Sequence, residues 1–143
     1  MKHIHRQPLR TRAFTLLEMM IVLLIIALII GSVAVMVGGI EKQAETVSAG
    51  AKIKQLQSAL IAYKIANLVP PTQEQGLEAL VTRPTAAPVP KRWSQLVKAD
   101  ALVDPWGRKF AYRNPGKHNN GGYDVLSFGQ DGVENTDDDI GNW

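Results

Sequence analysis

The stretch Arg12-Ala-Phe-Thr-Leu-Leu-Glu18 opens a run of apolar residues that extends to Ile40. Met19 to Ile40 contains no charged residue over 22 positions. A helix of that length is roughly 33 Å long, which is enough to cross the hydrocarbon core of a bilayer. The alternative is a buried core helix of a soluble protein, but only some 100 residues remain to cover it. The run therefore predicts one membrane-spanning helix.

Positive charge is concentrated before this run. Residues 1–13 hold four of the 16 Lys and Arg residues and no acidic residue, whereas the remaining 12 Lys and Arg face 13 Asp and Glu. Basic segments next to a membrane helix stay in the cytoplasm, so we expect a cytoplasmic N-terminus and an exported C-terminal part. Nucleic-acid binding is not expected, because the exported part lacks a basic excess. The absence of Cys excludes a disulfide framework, a thiolate metal site and a cysteine nucleophile.

Glu18 is the one acidic residue inside the apolar segment. A carboxylate within a membrane helix is energetically unfavourable and needs either a partner or a functional role. The residues alone leave two interpretations open. Glu18 either reaches back to the membrane surface from the helix end, or it has a function that requires its charge inside the apolar segment.

The pattern after Ile40 predicts that the helix continues as an amphipathic helix. Apolar residues fall near helical spacing at Val47, Ile53, Leu56 and Leu60. No proline interrupts the chain before Pro70-Pro71. We therefore expect one long helix over residues 14–66, with its first half in lipid and its second half amphipathic.

The remaining chain has the signals of a small mixed domain. Thr72-Gln-Glu-Gln75 is a capping-box pattern and predicts a short helix over residues 72–81. Two short strands are predicted over residues 109–113 and 123–128, joined by turn residues rich in Asn and Gly. The predicted fold class is α+β, with the long helix packed on a small C-terminal domain that contains a short antiparallel sheet.

The N-terminal motif resembles the class III signal of type IV pilins and pseudopilins, which is a short basic leader, a Gly, then Phe-Thr-Leu-Ile/Leu-Glu and an apolar helix. This chain has Ala13 where the family usually has Gly. The resemblance implies that a prepilin peptidase cleaves between Ala13 and Phe14 and methylates the new amine of Phe14. It also implies that Glu18 pairs with the Phe14 amine of a neighbouring subunit during assembly.

Three strings in the C-terminal part narrow the resemblance to the major pseudopilins of type II secretion systems. They are Thr-Gln-Glu-Gln-Gly-Leu-Glu-Ala-Leu at 72–80, Asp-Pro-Trp-Gly at 104–107 and Asp-Ile-Gly-Asn-Trp at 139–143. The similarity covers about residues 13–143. It implies a type IV pilin-like fold with three parts: a leader at 1–13, a membrane and filament-core helix at 14–40, and a periplasmic domain at 41–143.

An acidic loop at 128–143 ends the chain and carries four Asp residues within nine positions. Hard oxygen ligands suit calcium, but the spacing alone favours a solvated acidic loop. The resemblance implies calcium in this loop as a cofactor that fixes its structure. The implied side-chain ligands are Asp131, Asp138 and Asp139, with Asp137 the least certain carboxylate, and the implied backbone ligands are Phe128, Val133 and Thr136.

Three functions follow from these features. The first is a structural subunit that polymerises from the inner membrane into a periplasmic filament and helps to export folded proteins across the outer membrane. Its implied partners are other copies of the chain, minor pseudopilins, an inner-membrane assembly platform and the prepilin peptidase. The second is a type IV pilin or competence pseudopilin that binds surfaces or DNA. The third is a membrane-anchored enzyme or sensor, although no His–Ser–Asp or paired-carboxylate arrangement indicates catalysis. His118 is expected to be a solvent-exposed loop residue, and the three Trp residues are expected to pack.

Overall fold

The computed structural model describes residues 14–143, and within that range the side chains of all residues except 34–38. Its longest element is helix α1, Leu16–Asn67, with 52 residues. The window Leu16–Val33 is long and apolar enough to cross a membrane, and none of it is buried within the folded chain. The long helix predicted over residues 14–66 is therefore confirmed, with ends that differ by one or two positions.

Residues Glu41–Trp143 form a compact unit of their own. Within this unit α1 contributes a buried stripe with a residue every three or four positions: Ala49, Ile53, Leu56, Leu60 and Tyr63. Val47, which the sequence groups with Ile53, Leu56 and Leu60 by approximate helical spacing, lies outside the buried stripe, because its side chain is 66% exposed. At 3.6 residues per turn, position 47 lies about 120° around the helix from Ile53.

The buried stripe packs against apolar side chains from the rest of the unit, which together form one core. Outside α1 the buried members are Leu77, Ala79, Leu80, Val97, Ala101, Leu102, Phe110, Tyr112 and Val125. Trp93 packs against this core, and its indole Nε1 donates a hydrogen bond to the Ala79 carbonyl at 2.8 Å. Because each fully buried aliphatic side chain stabilises the fold by about 1.5–3 kcal/mol, this core holds the unit together.

The prediction of a helix over residues 72–81 is wrong in its extent and type. The capping box forms as expected, since the Gln75 amide N–H donates to Thr72 Oγ1 at 3.2 Å and the Thr72 N–H donates to Gln75 Oε1 at 3.1 Å. An α-helix does not follow, because Gly76 adopts a positive φ of 59° that breaks the helical path. The chain makes a turn and then a 3₁₀-helix at Leu77–Leu80.

A three-stranded antiparallel sheet in the order β1-β2-β3 covers the core. β1 is Ala111–Arg113 and β2 is Asp124–Ser127, both inside the ranges predicted for strands. β3, Ile140–Gly141, pairs with the end of β2 and was not predicted. A second 3₁₀-helix, Ala99–Leu102, was also not predicted. The α+β fold with a short antiparallel sheet is confirmed.

Candidate functional site

The first candidate site is the beginning of α1. Thr15 caps the helix, because its Oγ1 accepts a hydrogen bond from the Glu18 N–H at 3.2 Å. Thr15 and Glu18 therefore stand three residues apart as in a capping box, and a Glu in the first turn also favours the helix dipole. Sequence reasoning missed this local role of Glu18, although the Thr-x-x-Glu pattern could have revealed it. Phe14 is 75% exposed. The predicted cleavage site residue Ala13 lies outside the described residues.

Apolar side chains surround the first part of α1 on every side. Over Leu16–Val33 the large apolar residues are between 43% and 80% exposed, so none of the residues that the structure describes covers a face of this segment. A helix that is apolar all round is stable only in lipid or against other apolar helices. Glu18 is the one charged residue of this segment. The segment can therefore do two things, which are to span a bilayer and to pack against copies of itself.

The second candidate site is the acidic loop, which is positioned by the Asp-Pro-Trp-Gly turn. Asp104 is buried, and its carboxylate accepts hydrogen bonds from the Arg108 N–H at 2.8 Å and from Ser127 Oγ at 2.6 Å. The indole Nε1 of Trp106 donates to Glu45 Oε2 at 2.8 Å. The turn thus joins α1 to the end of β2, and the acidic loop starts from that fixed point.

Hydrogen bonds inside the loop draw two of the predicted ligands together. Asp138 Oδ2 accepts from the Asp131 N–H at 3.1 Å, and Asp131 Oδ1 accepts from the Val133 N–H at 2.8 Å. Thr136 Oγ1 lies 2.6 Å from Asp138 Oδ1 and 3.4 Å from Asp131 Oδ1. The Thr136 hydroxyl and the Asp131 N–H hold the pKa of Asp138 below its usual range, because both donate to the ionised carboxylate.

Asp139 is the third predicted ligand, and its two carboxylate oxygens differ. Oδ2 accepts from the Asn135 N–H at 2.8 Å, whereas Oδ1 is buried and has no hydrogen-bond partner among residues 14–143. A buried carboxylate oxygen without a donor is unfavourable unless a cation or a water satisfies it. Asp137, by contrast, is exposed. The orphaned oxygen fits a hard cation in this loop.

Two of the three backbone carbonyls predicted as ligands already accept hydrogen bonds within the loop. Phe128 O accepts from the Gly132 N–H at 3.0 Å, and Thr136 O accepts from the Asp139 N–H at 3.3 Å. Val133 O lies 3.0 Å from Thr136 Oγ1, whose one proton is donated to Asp138 Oδ1. Each carbonyl keeps a second lone pair for a cation. Among the described residues, no group of three His, Cys, Asp or Glu side chains is arranged to hold a metal ion as the loop stands. Metal binding would therefore require the carboxylates to converge.

A further polar cluster, which sequence reasoning missed, fastens the C-terminal end of the chain. Asp124 is fully buried, and its carboxylate accepts hydrogen bonds from the N–H groups of Lys117, His118 and Asn119 at 2.6–3.0 Å. Asn142 Oδ1 accepts from the Val125 N–H at 3.0 Å and from the Asn119 side-chain amide at 3.1 Å. The buried carboxylate thereby orders a turn that has few apolar contacts of its own.

The position of the Trp143 ring explains why residue 141 is a glycine. The Trp143 ring stacks on His118 with ring centroids 3.8 Å apart. The side chain of His118 is exposed as predicted, but it is a packing partner of the tail as well. A Cβ at Gly141 would collide with the Trp143 ring, so only glycine allows this close approach.

Two family models match the chain over these features. Residues 36–143 match type II secretion system (T2SS) protein G, and residues 9–34 match the prokaryotic N-terminal methylation motif. The chain belongs to the type II secretion system protein G family. The first model includes the whole acidic loop, and the second includes Phe14 and Glu18.

Named relatives agree with this family. The chain is 42% identical over 139 residues to type II secretion system core protein G of Pectobacterium carotovorum subsp. carotovorum, covering 94% of this chain and 85% of that protein. It is 43% identical over 135 residues to core protein G of Dickeya chrysanthemi, covering 94% and 87%. The major pseudopilin from the type 2 secretion system of enterohaemorrhagic Escherichia coli superposes with a TM-score of 0.63 at 40% identity, covering 73% of this chain and 91% of that chain.

The interpretation of the chain as a protein G pseudopilin is therefore confirmed. Protein G is a family of structural pseudopilins and not a family of enzymes. The N-terminal methylation motif implies processing by a prepilin peptidase and assembly into a pseudopilus. The roles predicted for Phe14, Glu18 and the acidic loop remain predictions.

Proposed function

We propose that this protein G polymerises through its first helical segment into a periplasmic filament. The observation that carries the proposal is the segment Leu16–Val33, whose apolar side chains are uncovered on every face while Glu18 stands in its first turn. When this segment moves from lipid into a filament core, contacts with lipid are replaced by contacts with neighbouring helices. Close packing between the helices is what stabilises the core. In such a core the Glu18 carboxylate requires a partner of opposite charge. Cleavage before Phe14 would create a positively charged amine four residues away along the chain, and we propose that the Phe14 amine of a neighbouring copy is this partner.

The topology that supports this function has a cytoplasmic leader at 1–13, a single membrane crossing and the domain 41–143 in the periplasm. The basic leader and the following uncharged segment support this orientation. Minor pseudopilins, an inner-membrane assembly platform and the prepilin peptidase are the partners that this assembly route requires. The filament acts mechanically in the export of folded proteins, and we propose no catalytic activity for the chain.

Cleavage between Ala13 and Phe14 is tested by the intact mass of the protein from cells with and without prepilin peptidase. The expected result is loss of residues 1–13 and gain of one methyl group only when the peptidase is present. Electron microscopy of the same cells should then show filaments only in the processed sample. An unprocessed mass in both strains, with filaments present, would contradict the role of the free Phe14 amine.

We propose further that calcium binds in the acidic loop through Asp131, Asp138 and Asp139. The buried, unpartnered Oδ1 of Asp139 and the bonds that bring Asp131 and Asp138 together support this proposal. Calcium would supply positive charge and oxygen coordination that order a loop with little apolar surface. Arg108 already fixes one side of the loop, since its guanidinium donates to the Gly129 carbonyl.

Calcium removal should lower the thermal stability of the 41–143 domain. At a calcium concentration about 100 times Kd the ion contributes about 2.7 kcal/mol, and this corresponds to a Tm change on the order of 10 °C for a domain of this size. The measurement is thermal unfolding by circular dichroism with calcium and with a chelator. Asp139→Asn should abolish the difference, whereas the matched variant Asp137→Asn should keep it. Equal Tm values for the unmodified domain in both buffers would overturn the proposal.

A further inference from the structure

An apolar surface at the C-terminal end of α1 is left uncovered by the domain. A cavity of about 320 Å³ lies between this helix end and the proline-rich segment, and Leu68, Val69 and Val89 are among the residues that line it. Their side chains are 85%, 47% and 48% exposed, and Ile65 one turn earlier is 74% exposed. We call the surface around this cavity the end groove. Several exposed apolar residues that line one depression are typical of an interaction surface.

The backbone at Leu68 strengthens this inference. Leu68 follows the last residue of α1 and has a positive φ of 70°. This left-handed conformation is unfavourable for a residue with a Cβ, and at the end of a helix glycine or asparagine usually occupies it. Leu68 is instead a large apolar residue, and its side chain is exposed. The Leu68 N–H donates to the Lys64 carbonyl at 2.7 Å, so this left-handed residue ends α1, and its exposed side chain is available to contact another molecule.

Charge identifies the occupant of the end groove. Lys91 and Arg92 are exposed on its rim, and no acidic residue is among those that line the cavity. Neither of these two cations takes part in an ion pair within the described residues. The complementary surface would be an exposed apolar side chain near a free carboxylate.

The acidic loop of the same chain has this complementary character. Val133 is 55% exposed, and residues 128–143 contain five Asp and Glu residues and no Lys or Arg. Glu134 next to it is paired with Arg113 at 2.6 Å and with Lys117 at 3.7 Å, and Asp131, Asp138 and Asp139 are the proposed calcium ligands. Asp137 is exposed and is the carboxylate of the loop that is left to face a cation. The loop therefore presents one apolar side chain and, four residues further on, one free carboxylate, which matches the apolar and positive end groove.

The fold separates the two surfaces along α1. The acidic loop starts from Ser127, which bonds to Asp104, and the same turn contacts Glu45 through Trp106. The end groove begins at the other end of this part of the helix, near Asn67. From Glu45 to Asn67 the helix rises about 33 Å. The start of the acidic loop and the end groove thus lie at opposite ends of one domain.

We propose that the end groove of one copy binds the acidic loop of a second copy, with Val133 inserted against Leu68 and Val89. This contact rests on the proposed function and specifies which surfaces meet in the filament. Because two different surfaces are joined, the contact is heterologous and can repeat without closing, which produces an open helical filament. Lys91 and Arg92 would face the Asp137 carboxylate and select the orientation.

Cysteine cross-linking in cells tests the contact, because the chain has no Cys of its own. The full chain carrying Leu68→Cys together with Val133→Cys should form a ladder of covalent oligomers under mild oxidation on a non-reducing gel. Each single variant should stop at a dimer at most. The matched control pairs Val133→Cys with Val47→Cys, since Val47 is 66% exposed but lies outside the end groove. The control should give at least tenfold less of the higher oligomers.

Electron microscopy of the same cells separates failure of this contact from failure of the proposed function. Filaments without a ladder would overturn the contact and leave the proposed function intact, whereas absence of filaments from the unmodified chain would overturn both. Val89→Cys with Val133→Cys repeats the test at a second position if the Leu68 variant does not assemble. Reversal of the rim charge by Lys91→Glu with Arg92→Glu should reduce filaments at least tenfold, and added Asp137→Lys should restore part of the loss.

Discussion

Replacement of Glu18 by Gln is expected to leave the chain inserted in the membrane but to reduce filament yield about a hundredfold or more. Removal of one partner from a buried ion pair costs about 3–5 kcal/mol, because the other charge remains buried without compensation. Each 1.4 kcal/mol corresponds to a factor of about ten in an equilibrium constant. The measurement is the amount of protein G in the sheared filament fraction relative to the membrane fraction.

Gln is the informative substitution because it separates the helix-capping role of Glu18 from its proposed pairing with the Phe14 amine. The Thr15 hydroxyl caps the Glu18 N–H, and Gln at this position of a capping box serves as well as Glu. A helix-capping role alone would therefore leave filament yield unchanged in Glu18→Gln. Glu18→Asp keeps the charge and should retain part of the assembly. Glu41→Gln, at an exposed position of the same helix, is the control for loss of a carboxylate.

The long helix and the main strands could be predicted because their signals are strong and local. The uncharged run of 22 residues and the apolar residues at helical spacing both lie in α1, as predicted. β1 and β2 are separated by a segment rich in Asn and Gly, which are residues typical of turns. β3 could not be predicted, because two residues are too short to show the period of two that identifies a strand.

The differences from the sequence pattern at Gly76 and Val47 have different physical causes. The capping box at Thr72 formed correctly, but a glycine three residues beyond the first helical position took a positive φ and ended the helical path. Val47 falls only near the helical spacing of the stripe, and the smaller Ala49 occupies the buried face. A count of angular positions around the helix identifies Ala49, whereas apolarity alone favours Val47.

Some candidate sites could be identified from the sequence, and others became visible only in the folded chain. Motif resemblance identified Glu18 and the acidic loop by position. The buried Asp124 was missed, because its role depends on a turn whose N–H groups converge only in the folded chain. The end groove was also missed, since Leu68 and Val89 are far apart in sequence and meet only through the path of the proline-rich segment.

Asp124→Asn is expected to destabilise the 41–143 domain by about 3 kcal/mol, or roughly 12 °C or more in Tm. The carboxylate accepts three backbone N–H bonds and a side-chain amide bond from Asn119. Asn has one carbonyl oxygen, so its NH₂ group would face donors instead of acceptors. Thermal unfolding measures the effect, and the exposed Asp100→Asn serves as the matched control. A Tm within a degree of the unmodified domain would contradict this role.

The same cluster predicts how stability depends on pH. Burial raises the pKa of Asp124, but the hydrogen bonds from His118, Asn119 and Lys117 outweigh it and leave the pKa below its usual range. A carboxyl with a lowered folded-state pKa stabilises the fold fully above its unfolded pKa of about 3.9 and loses this contribution as pH falls through the folded value. The unfolding free energy of the unmodified domain should therefore decline below about pH 4. Asp124→Asn should show a shallower decline, because the contribution of the Asp124 carboxyl is lost. A decline should remain, because the lowered pKa values of Glu78, Glu134 and Asp138 still contribute. An equally steep decline in the variant would mean that these other carboxyls, and not Asp124, govern acid unfolding.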